Sequence, residues 1–108
     1  MPRLRLAPVV RQDIRDALAF TLARFGPVKA REYSALIRLA LRELASNPHC
    51  GHRRQDVDED AWVHRIAKPG RDARHLFLYE VIDDKAQVYG FFYDGMGLAG
   101  RWHERTER

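Results

Sequence analysis

Cysteine is nearly missing from this chain: Cys50 is the only one in 108 residues. A lone thiol closes no intramolecular disulfide, so packing must hold the fold, and a reducing cytoplasm suits it. Long apolar runs are missing too. No stretch approaches the ~18 uninterrupted apolar residues of a membrane span. The opening "MPRLRLAPVV" carries charge but no apolar block of signal-peptide length. There is no internal repeat, no low-complexity tract, no P-loop and no Ser-His-Asp order. "GMGLAG", Gly95 to Gly100, has Gly-x-Gly-x-x-Gly spacing, yet only eight residues follow it, too few for a βαβ unit. These glycines predict a mobile, Gly-rich tail from about residue 95.

What remains is ordinary globular material. Hydrophobic residues make up 45% and charged residues 31%, which predicts a single domain over residues 1–108 rather than a disordered chain. The net charge of +4, with a pI near 9.6, favours anionic partners: RNA, DNA or an acidic protein.

Patterning supplies the elements. "PRLRLAP" alternates Leu4 and Leu6 with Arg3 and Arg5, a short half-buried strand ended by Pro8. Proline also suits a first helical turn. From there Val10, Ile14, Ala17, Leu18, Leu22 and Phe25 form one apolar stripe, and Gly26-Pro27 stops it. Tyr33, Leu36, Ile37, Ala40, Leu41 and Leu44 form a second stripe, ended by "SNP". Two helices joined by Gly-Pro predict an antiparallel helical hairpin. Residues 49–60 read as a polar loop, "AWVHRIA" at 61–67 as a strand and "KPGRDA" as a turn. "RHLFLYEVIDDKAQVYGFFY", Arg74 to Tyr93, is two apolar strings around Asp83-Asp84-Lys85, a β-hairpin. The order β-α-α-β-β-β predicts an α+β fold, an antiparallel sheet with the helical hairpin on one face. By simple alternation Tyr89, Phe91 and Tyr93 share one broad aromatic side, either core or a surface a partner covers.

Several clusters hold residue types that do chemistry. "HCGH" (His49, Cys50, His52) mixes metal-ligand types, but a structural zinc site needs a second ligand pair and none is evident. "DVDED" lacks the spacing of a calcium loop and reads as a solvated acidic loop. No metal and no cofactor is expected. The plausible set is basic plus tyrosine: Arg65, Lys68, Arg71, Arg74 and His75, with Tyr93 ending the next strand. Metal-free RNA cleavage needs a base for the 2′-hydroxyl, cations for the phosphate and an acid for the leaving oxygen. The same residues equally furnish a basic protein-binding surface. Arg31, Arg38 and Arg42 lie on the outer face of the second helix, a solvated face or a contact. With Tyr89, Tyr93 and Trp102 they are the candidates for contacting a partner.

Three strings, in order, resemble the RelE/ParE superfamily of type II toxin-antitoxin toxins. "LAPVVRQDIRDALAFTLARFG" is similar to its opening strand and first helix, with Asp13 before Ile14. Leu44, Asn47, Pro48, Gly51 and Arg54 fill an "L-x-x-N/H-P-x-x-G-x-x-R" pattern. "RHLFLYEV" is similar to the "R-H-L-φ-φ-Y-x-V" string of the ParE branch. The resemblance spans residues 3 to 94. It implies a toxin neutralised by a cognate antitoxin, expected to be acidic and partly disordered. RelE-branch members cleave mRNA on the ribosome with sheet lysines and arginines and often a C-terminal tyrosine; ParE-branch members block DNA gyrase. Here "WVHRIAK" has no lysine pair, Leu76 stands where the RelE arginine would, and "YDGMGLAG" replaces a basic strand end, which points to ParE. The "H-G-R-R-D" ending of ordinary ParE sequences is also missing. The alternatives are a RelE-like ribosome-dependent endonuclease using Arg65, Lys68, Arg74, His75 or Tyr93, and a non-toxic degenerate member.

Overall fold

The computed structural model describes residues 3–66 and 75–107. Its elements are β1 (Leu4–Leu6), α1 (Pro8–Phe25), α2 (Pro27–Ser46), a 3-10 turn (Pro48–Cys50), β2 (His52–Arg53), β3 (Trp62–Arg65), β4 (His75–Ile82), β5 (Lys85–Tyr93) and α3 (Leu98–Thr106). The fold is α+β, as expected. The five strands lie in the order β1-β5-β4-β3-β2. β1 runs parallel to β5 and every other pair is antiparallel, so the sheet is mixed.

Local chemistry explains the breaks. Pro8 and Pro27 each open a helix, where a missing N–H costs nothing. Between them Gly26 has φ +88°, and its N–H closes α1 onto the Leu22 carbonyl. At the other hairpin, Ile82 pairs with Lys85 across two residues, Asp83 and Asp84, both at positive φ. That is the two-residue turn whose twist matches the flanking strands, and aspartate tolerates it.

The sheet is buried on both faces. On one, Val10 of α1 and Ile37, Ala40 and Leu44 of α2 pack against Phe77, Tyr79, Ala86, Val88 and Phe91. On the other, Leu98 and Trp102 of α3 pack against Val63, Leu76, Leu78 and Phe92. β4 is therefore the central strand, with Leu76 through Tyr79 fully buried. The expected glycine-rich tail is thus replaced by a helix. Gly97 adopts a left-handed conformation just before it, and Leu98 and Trp102, four residues apart, share its buried side. Among the described residues of the expected 49–60 loop, the 3-10 turn and β2 add regular structure.

Alternation in β5 breaks at one point. Leu78 pairs with Gly90, but Tyr79 pairs with Val88, leaving Tyr89 as an extra residue. This β-bulge reverses the facing of everything before it relative to everything after. Val88 and Phe91 both face the helical hairpin, while Tyr89 and Phe92 face α3. The single aromatic side expected from Tyr89, Phe91 and Tyr93 is therefore divided between the two faces. Gly90 sits at the bulge because a methyl group there would fall 2.1 Å from the buried Phe92 ring.

Candidate functional site

Leu44, Asn47, Pro48, Gly51 and Arg54 build the joint between α2 and the sheet. Leu44 is fully buried. The Asn47 side chain accepts from the His49 N–H and so caps the 3-10 turn. The Tyr79 hydroxyl donates to the Pro48 carbonyl at 2.8 Å, and the hydroxyl oxygen in turn accepts the Gly51 N–H at 3.2 Å. A Cβ on Gly51 would lie 2.4 Å from the Val63 carbonyl oxygen and 2.5 Å from the Tyr79 hydroxyl. Arg54 holds Asp56 through two bonds of 2.8 Å, which keeps that carboxyl below its ordinary range. Burial pushes the Tyr79 phenol well above its ordinary value, so it stays a neutral, doubly bonded strut. These residues position the sheet under the helices.

The basic-plus-tyrosine set behaves differently. Val63 lies on the α3 face, and the pleat puts Arg65, two residues on, on that same side. There Arg65 pairs with Asp94 at 2.5 Å. His75 shares its parity with Phe77 and Tyr79, on the helical-hairpin face. Its ring stacks on Phe91 at 4.8 Å and on Tyr93 at 4.3 Å, and its Nδ1 is hydrogen-bonded to the Tyr33 hydroxyl. Burial, with the neighbouring Tyr93, raises the Tyr33 phenol far above its usual range, so it too stays neutral. Of the expected catalytic residues, then, His75 and Tyr93 come together, Arg65 lies on the other side of the sheet, and Lys68 and Arg74 fall outside the described residues. Tyr33 was not foreseen, because its place in an apolar helical stripe marks it only as core. Among the described residues no three of His, Cys, Asp and Glu converge as a metal site.

The expected contact residues also separate. Arg31, Arg38 and Arg42 are exposed on α2. Arg31 borders an open groove of about 310 Å³ lined by Leu18, Ala19, Leu22, Pro27, Ala30 and Ser34. Phe20, Leu22, Phe25 and Val28 of α1 and α2 are all at least half exposed, although Leu22 and Phe25 belonged to the stripe expected to face the core. Tyr93 is 39% exposed. Trp102 is not at the surface: it is 3% exposed beneath α3. Half-buried Tyr89 meets it edge-on at 5.3 Å and donates its hydroxyl to Glu80.

Over residues 4–92 the sequence matches the ParE toxin of type II toxin-antitoxin systems, parDE. The chain belongs to the ParE toxin family. The matched segment covers every element from β1 through almost all of β5, the joint at Gly51 and Tyr79 included; α3 lies beyond it. No curated protein matches the chain. This ParE-family protein is thus a toxin of the type II toxin-antitoxin class, and none of its described helices is long and apolar enough to cross a membrane.

Proposed function

We propose that this toxin arrests growth by binding a protein target, DNA gyrase, rather than by cutting RNA, and that a cognate antitoxin neutralises it. One observation carries the non-enzymatic reading: Arg65 and the His75–Tyr93 pair lie on opposite faces of the sheet, with Arg65 held by Asp94. Cleavage of an RNA phosphodiester needs cation, base and acid within reach of one phosphate. A basic chain with Arg31, Arg38 and Arg42 exposed on α2, Arg31 beside an apolar groove, suits an acidic antitoxin segment that folds as it binds.

Purified toxin added to a gyrase supercoiling assay, and in parallel to a translation extract carrying a reporter mRNA, tests this. Loss of supercoiling with intact mRNA is expected. Fast mRNA cleavage with unaffected gyrase overturns it in favour of an endonuclease. Induced expression that leaves growth untouched would instead mark a member kept only to bind its antitoxin.

A further inference from the structure

Cys50, His64 and Glu43 come from three separate elements and meet in one line. Cys50 ends the 3-10 turn, His64 is in the middle of β3 and Glu43 is in the last turn of α2. Cys50 Sγ lies 3.9 Å from His64 Nδ1, and His64 Nε2 lies 3.1 Å from Glu43 Oε1. Glutamate next to Nε2 favours the tautomer with its proton on Nε2, donated to the carboxylate. Nδ1 is then left as the acceptor that faces the thiol. This is a nucleophile, a base and a group that orients the base, the arrangement that activates weak nucleophiles. The His64 side chain is 15% exposed and Glu43 is 45% exposed, so the relay is sheltered at its centre and open at its ends. Cys50 is itself half-buried, not sealed in the core.

We propose that Cys50 is a thiol-exchange site, activated by His64 and Glu43, that takes low-molecular-weight disulfides. In the step, the Cys50 Sγ–H proton passes to His64 Nδ1 as Sγ attacks one sulfur of the disulfide R–S–S–R. The S–S bond breaks, a Cys50–S–S–R bond forms, and the departing thiolate takes the proton from His64 as R–S–H. One disulfide and one thiol give one mixed disulfide and one thiol, so no further oxidant is needed. Acyl transfer is not favoured at this place: the neighbouring Gly51 N–H, the natural candidate to hold an oxyanion, is already given to the Tyr79 hydroxyl. Burial and the Glu43 charge hold the resting thiol above its ordinary range. The reaction therefore depends on proton removal by His64 during attack and not on a standing thiolate. His64 does the proton transfer; Glu43 is a positioning residue.

α2 contributes Glu43, the turn contributes Cys50, and β4 places Phe77 opposite, with the Tyr79 hydroxyl behind Gly51. Because Cys50 is the only cysteine, any adduct reports on this site alone.

The test is the rate at which the intact folded chain reacts with an aromatic disulfide that releases a coloured thiol, followed against pH. For the native protein the rate near neutral pH is expected to stand above simple proportionality to hydroxide, because His64 removes the thiol proton during attack. His64→Gln is expected to react at least ~10-fold slower near neutral pH and to follow hydroxide up to the thiol range. Glu43→Gln, which keeps an acceptor oxygen but removes the charge, should lie between them both in rate and in how closely that rate follows hydroxide. A native rate that simply follows hydroxide overturns the proposal without recourse to any variant. So does a folded His64→Gln protein that reacts as fast as the native one. Mass spectrometry after incubation with oxidised glutathione supplies the second readout: a single mixed disulfide on Cys50 is expected, and an unmodified chain under conditions that modify the urea-unfolded chain counts against the site.

Discussion

Gly51 has no space for a methyl group, and what crowds it is backbone and a buried phenol, neither free to retreat. Gly51→Ala should therefore cost about 2–3 kcal/mol, as overpacking does, read as a lower urea midpoint. Tyr79→Phe removes the donor to Pro48 and the acceptor for Gly51, leaving two polar backbone groups at a buried joint; a loss of about 1–3 kcal/mol is expected. Tyr33 and Tyr79 also make a pH prediction. Burial raises both phenols in the folded state above the ordinary value of 10.0. Their contribution is complete below that value and is lost as pH rises toward the folded-state values, since the unfolded chain ionises first. Stability should fall above pH ~10 by up to ~1.4 kcal/mol per pH unit for each tyrosine. Urea midpoints between pH ~8 and ~11 should fall less steeply in Tyr79→Phe, which has one fewer phenol to ionise. A slope equal to that of the native protein would mean the phenol is not insulated.

Among the elements, α3 and β5 depend on one another. Arg105 pairs with Asp13 at 3.0 Å and donates to the Tyr89 carbonyl at the bulge, while Asp13 also accepts the Phe91 N–H. One ion pair thus ties α3, α1 and the β5 edge beyond the end of β1. Both side chains are under one-fifth exposed. Arg105→Ala should cost about 2 kcal/mol, less than a fully buried pair because some solvent remains. Amide exchange should quicken first across α3; uniform quickening through β4 would contradict a local role.

What the sequence reveals of these elements follows the range of the physics. The helices themselves and the Asp83-Asp84 turn depend on near neighbours, so they were legible; the stripe on α1 was not wholly so, since Leu22 and Phe25 at its end stay at least half exposed. The bulge at Tyr89 is set by cross-strand pairing and the fit of Phe92 to Gly90, and an alternation count passes over it. α3 did leave a trace in Leu98 and Trp102, obscured by three glycines within six residues. The candidate site was legible only as a list of residue types. Which side of the sheet each takes, and that Tyr33 on α2 reaches His75, are tertiary facts.

For the molecule as described, the exposed arginines of α2 lie on one side of the sheet and α3 covers the other. Replacing Arg31, Arg38 and Arg42 together by Ala should change stability by no more than ~0.5 kcal/mol, as exposed substitutions do. The same change should weaken capture of an acidic antitoxin and flatten the dependence of that capture on salt. Equal affinity for native and variant, measured by titration at two salt concentrations, would place the antitoxin elsewhere.

The parallel pairing of β1 with β5 has a consequence for synthesis. Leu4 is joined to Ala86 and Leu6 to Val88, so the first strand made has no partner until the last strand leaves the ribosome. Helices α1 and α2 can form early from local contacts, but the sheet edge beside them closes only after almost the whole chain has emerged. Any surface that needs the assembled sheet is therefore complete only once nearly the whole chain is, whereas the two helices can stand ready well before it.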